Sequence, residues 1–127
     1  MSITVGGSTI TMANGAVISA PSGTAPLYLY RAWVKFNQAG STVTASGNVS
    51  SVGDLGVGLS SINFTTAMID ANYAVASAGE NNVGTVDGAY QGPSTYSLAA
   101  GSFNIACASN SNTRGSDWQT VSLIVIR

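Results

Sequence analysis

The residues able to do chemistry in this 127-residue chain are few and scattered. Five acids, Asp54, Asp70, Glu80, Asp87 and Asp117, each stand in a turn-like setting, and histidine is absent. Without histidine there is no Ser-His-Asp or Cys-His nucleophile and no ordinary zinc site. Lys35 is the only lysine and has no serine three residues before it, so a Ser-x-x-Lys system is missing as well. Cys107, the single cysteine, falls on the apolar side of an alternating segment. That predicts a buried, inert thiol, and a lone cysteine forms no intrachain disulfide. A glycosidase needs two carboxylates about 5 to 10 Å apart, and sequence alone does not bring any two of these acids together. The oxygens of GENN or SNSNTRGSD are a conceivable calcium source, but neither stretch has the spacing of a calcium loop. Asn and Asp in turns ordinarily bond their own backbone. The glycines of GDLGVG read as a turn, since no Lys-Ser/Thr follows them. NVS at 48 to 50 and NFT at 63 to 65 are chance glycosylation sequons. The expectation is a non-enzymatic protein with no cofactor and no bound metal.

Composition narrows the class. Only 7% of residues are charged, against about 25% in ordinary globular proteins, while 45% are hydrophobic. Disordered chains are the reverse, poor in apolar residues and rich in charge. Five acids and four bases give a net charge of −1, so no basic patch for phosphates can be assembled and nucleic acid is not an expected partner. A charge so near zero also gives little protection against self-association. No apolar run approaches the ~18 residues that span a bilayer, and MSITVGG lacks the pattern of a signal peptide. A soluble chain made in a cytoplasm is expected.

The elements that position these residues read as strands. SFNIACA, residues 102 to 108, sets Phe103, Ile105 and Cys107 on one face and Ser102, Asn104 and Ala106 on the other; TYSLAA and SINFTT alternate similarly. VSLIVIR is a β-branched run of the kind found in strands buried on both faces. NQAGS, SVGDLGVG, AGENNVG, DGAYQGPS and SNSNTRGSD, dense in turn formers, separate them. TTAMIDANYAVASA is free of Gly and Pro but holds no helical period. The fold class expected is all-β, a compact antiparallel sandwich or jelly-roll-like barrel.

YLYRAWVKF, residues 28 to 36, carries the most suggestive pattern. A period of two places Tyr28, Tyr30, Ala32, Val34 and Phe36 on a core face and Leu29, Arg31, Trp33 and Lys35 on the other. An indole between two cations on long apolar stems suits a contact between subunits; the alternative is a solvated sheet face. Residues 1 to 23 have a different texture, with Gly6-Gly7, Asn14-Gly15 and no aromatic. They read as an arm for docking or strand exchange, with a reach of roughly 75 Å at most, ahead of a sandwich domain over 24 to 127. The alternative is a frayed terminus with one local hairpin.

APLYLYRAWVKFN, then TASGNVSSVGDLGVG, then INFTTAMIDANYAV resemble, in order, the β-rich terminal domains of tail fibre proteins from tailed bacteriophages. The resemblance runs from about Ala25 through Tyr73, with a looser fit to VSLIVIR. It implies a compact β domain, usually homotrimeric, on the virion surface and often engaged in host attachment. Where that family commonly has Pro after Thr-Ala-Met, this chain has Ile69. The family domain also caps a long shaft, whereas only 23 residues precede this one.

Three functions follow as expectations. The first is a tail fibre tip-like virion module that docks through residues 1 to 23 on a tail component. Its candidate contacts with a host surface glycan are Asn81, Tyr90, Tyr96 and Asn112, and its candidate oligomer contacts are Arg31, Trp33 and Lys35. The second is a capsid decoration (cement) protein, a trimer whose arm lies on the major capsid protein. The third is a free carbohydrate-binding β module.

Overall fold

The alternation of apolar residues becomes, in a computed structural model of the chain, two four-stranded antiparallel sheets packed as a sandwich. Residues 9–11, 13, 17–19, 29–80, 93–108 and 115–127 are described. Among them there is no helix. The first sheet has the order β4-β3-β10-β7, formed by Thr42–Gly47, Tyr30–Asn37, Thr120–Ile126 and Ala74–Glu80. The second has the order β5-β6-β9-β8, formed by Val49–Gly56, Leu59–Phe64, Ser102–Ala106 and Ser94–Ala99. A separate hairpin pairs β1, Thr9–Thr11, with β2, Val17–Ser19.

The core is the sum of the inward faces. Ala32, Val34 and Phe36 come from β3, and Val121, Leu123 and Val125 from β10. They meet Ile62 and Phe64 of β6 and Phe103 and Ile105 of β9. Each large side chain removed from water in this way contributes about 1.5 to 3 kcal/mol before entropy is counted. Phe64, Tyr73 and Phe103 stack at ring separations of 5.7 to 6.1 Å. The Tyr73 hydroxyl lies 2.9 Å from the Ala99 carbonyl and 3.0 Å from that of Ser102. It thereby ties the crossover from β6 to β7 down to the β8–β9 hairpin.

Two links between the sheets rest on single residues. Asn48 sits between β4 and β5 in the left-handed region, φ 56°, a conformation asparagine tolerates better than most residues. Its Nδ2 donates to the carbonyls of Arg31 and Thr66, and its Oδ1 accepts from the Thr66 N–H at 2.8 Å. The amide of the NVS sequon is thus occupied in holding the corner. Gln38, just past β3, is buried. Its Nε2 donates to Ser60 Oγ on the opposite sheet at 3.2 Å, and its Oε1 accepts from the Trp118 N–H at 3.1 Å. Its own N–H donates to the Trp118 carbonyl at 2.9 Å.

Several expectations need correction. Tyr30 is not a core residue but 65% exposed. The pairing of β3 with β10 slips by one residue, so that Val125 faces Ala32 while Ile126 faces Tyr30. Arg31 is the extra residue, and the bulge turns Tyr30 to the outside. VSLIVIR is buried on one face only: Ile124 and Ile126 lie open on the other. SVGDLG is a strand within β5, not a turn; the turn follows at Val57-Gly58. Gly53 fits there because the Ser61 side chain of β6 leans over it. Tyr28 lies outside the described residues, as does most of the 1 to 23 segment apart from its hairpin.

Candidate functional site

The outer face of the first sheet is where sequence and geometry converge. Its middle row runs Gly47, Trp33, Ile124, Ala76 across the four strands. Ala45, Lys35, Ser122 and Ala78 form the row on one side. On the other side Ile126 faces Ala74 on β7 and Tyr30 on β3. This is a sheet face built of small residues around a few large apolar ones. Trp33 is 36% exposed, Ile124 46% and Ile126 37%. Tyr30, Trp33, Lys35, Ser122 and Ile124 line an open groove of about 340 Å³ on it.

Trp33 is held in place by what β4 lacks. A Cβ on Gly47 would collide with Nε1 and Cδ1 of the indole, so the ring lies over the bare Gly47 backbone. An aromatic over a cross-strand glycine shields a backbone that glycine leaves open. That contact uses one side of the ring. The remainder looks outward beside Ile124.

The charges are one-sided. Arg31 and Lys35 flank Trp33 on β3, and the three rows contain no acid. Glu80 lies at the far corner, facing Thr120. At the lower rim Arg127 pairs with both carboxylate oxygens of Asp70 and with the Asn72 carbonyl. Asp70 is held below the usual carboxylate range by the Asn72 N–H and by the Arg127 guanidinium, partly opposed by desolvation. Arg31 and Lys35 make no ion pair among the described residues. The face can therefore bury apolar area and offer two cations, the combination that stacks on and pairs with a protein partner.

Three of the four described acids serve turns; Glu80, expected in a turn, instead ends β7. Asp54 Oδ1 accepts from Gly56 N–H at 2.8 Å, Asp117 Oδ1 from Gly58 N–H at 2.7 Å, and Asp70 Oδ1 from Asn72 N–H at 2.7 Å. Asp87 lies outside the described residues. Among those described, no three acidic or thiol groups gather where an ion could sit. Cys107 is buried beside this turn region, its N–H donating to Gly58 O. Burial pushes its thiol up to about 11, with Gln38 opposing and Asp117 adding, so it is protonated and unreactive at neutral pH.

Of the loop residues proposed for surface binding, Asn81, Tyr90 and Asn112 lie outside the described residues. Tyr96 is placed on β8, opposite Asn104 on the outer face of the second sheet, and is 37% exposed. It does not share a surface with Arg31, Trp33 and Lys35, which the first sheet does bring together. Sequence reading missed Tyr30 and the outward isoleucines of β10. The open run IVI in the last strand was the available signal. Compared with family models, curated proteins and solved structures, the chain finds no significant match.

Proposed function

We propose that the chain is a non-enzymatic structural protein of a tailed-bacteriophage virion. In this reading it is a homotrimeric β-sandwich, similar to a tail fibre tip, that joins copies of itself through the Trp33 face. The supporting observation is that face: a central row of Trp33, Ile124 and Ala76 with Tyr30 and Ile126 beside it, in a chain whose core is already complete without them. Isolated exposed apolar residues are ordinary, but a contiguous patch on one sheet marks a contact surface. The phrases that carry the resemblance to tail fibre tips occupy consecutive elements, β3, the β4–β5 corner and the β6–β7 crossover. The host contact belongs to the surfaces away from the first sheet, where Tyr96 stands.

Electron microscopy of phage particles carrying the protein, with antibody raised against the purified chain, tests this. Label at the tail supports the proposal. Label over the head in hundreds of copies makes it a decoration protein, and unlabelled particles contradict a virion role.

A further inference from the structure

The four edge strands of the sandwich are not alike. The pairing of β5 with β6 is interrupted twice, and β5 also carries Asp54. The pairing of β8 with β9 shifts around Ser97, which has φ 51°. β4 departs from register beside Phe36. Such interruptions blunt an edge against further pairing. β7 has none. Its seven residues, Ala74–Glu80, stay in unbroken register with β10. It contains neither Lys nor Pro, its single charge is at its last position, and all but Val75 are exposed. Among the described strands it has a neighbour on one side only.

A second feature is independent of this one. β1 and β2 hydrogen-bond to each other and to neither four-stranded sheet. Three residues to a strand, with Ile10 facing Ile18, make a hairpin too small to be stable alone in water; a third strand is what such hairpins lack. Among the described residues there is thus one hairpin in need of an edge and one edge open to a strand, and the two are not joined to each other.

We propose that the β1–β2 hairpin of one copy adds to the β7 edge of a second copy of this chain. Each copy gives one hairpin and receives one, a head-to-tail contact that closes into a ring. The main chain supplies the hydrogen bonds, as in strand addition generally. The small side chains of β7, chiefly Ala, Ser and Gly, let the incoming backbone approach. The stretch from Ser19 to Tyr30 spans up to roughly 36 Å, enough to cross a neighbouring strand or two. Area gives the reason for a second contact. A four-stranded face seven residues long covers roughly 400 Å² in projection, about half of what each partner of a stable complex buries. The inference rests on the self-association proposed above, but neither on its Trp33 contact nor on the virion.

Mixing full-length Ile18→Cys and Ala76→Cys variants with a short bismaleimide tests it. The expected result is a covalent dimer linked between positions 18 and 76 in the mixture, identified by peptide mass, a linkage that neither variant alone nor the wild-type chain with its buried Cys107 can give. No mixture-specific dimer overturns the proposal, and so does a doubly substituted chain that links only to itself. If the dimer is missing while the wild type still assembles, the hairpin contact falls and the Trp33 face stands. If it forms and Trp33→Ala leaves assembly unchanged, the Trp33 contact falls and the hairpin contact stands.

Discussion

The indole of Trp33 lies across the backbone of Gly47 on the neighbouring strand, in the space a Cβ would need. One residue is fixed by the absence of a side chain on the other. The ring is thereby presented as a flat, half-open surface beside Ile124, not as a mobile side chain in solvent. This pre-sets the contact, because little rotamer freedom remains to be lost when a partner covers it.

Gly47→Ala should displace the indole and weaken self-association at least tenfold, with the β-sheet circular dichroism unchanged. Trp33→Ala should weaken it more. Sedimentation equilibrium reads both, and an unchanged association constant in the two variants contradicts the Trp33 contact.

Gln38 links both sheets to the strand-entry residue Trp118. Gln38→Leu keeps the volume but leaves the Ser60 hydroxyl and the Trp118 N–H without their buried partner. A loss of about 1 to 3 kcal/mol follows, measurable by urea unfolding. A variant as stable as wild type would show that the network contributes only shape.

Cys107 makes the fold sensitive to base. Its folded thiol ionises near 11, above the ordinary value of 9.0. The unfolded chain therefore loses its proton first as pH rises. The stabilisation is complete below about pH 9 and is lost between there and about 11, amounting to roughly 2 to 3 kcal/mol at most. Cys107→Ala should flatten this part of the stability profile. At pH 8 the thiol of the folded protein should react with a disulfide reagent only at the rate of unfolding; immediate labelling would refute its burial.

Asp70 acts at the other end of the scale. Its folded carboxyl is depressed below 3.8, so the pairing with Arg127 is fully present above that value and is lost as pH falls through the folded pKa. Asp70→Asn should remove this acid-side dependence and loosen the crossover around Ile69, seen as faster amide exchange there. Equal acid profiles for the variant and the wild type would deny the pair a role.

The alternation of Phe103, Ile105 and Cys107 was readable because a half-buried strand has a period of two, and Val34 and Phe36 obeyed the same rule. Tyr30 was not, because its direction is set by a bulge against Ile126 from the other end of the chain. SVGDLG looked like a turn because its glycines are turn formers; Gly53 is instead fitted to the overhanging Ser61, a cross-strand fact. Gln38, read within a turn-forming stretch, closes that turn and is also buried against Ser60 and Trp118. The grouping of Arg31, Trp33 and Lys35 on one face was legible. Their neighbours Ile124, Ile126 and Ala76 became visible only with the strand order.

The central claim is that this chain exists as an assembly of its own copies. Light scattering of the purified wild-type protein, diluted to nanomolar concentration and at physiological salt, tests it most directly. A mass of three times the 12.8 kDa chain is the result predicted; a single-chain mass across the whole concentration range is the result that contradicts it.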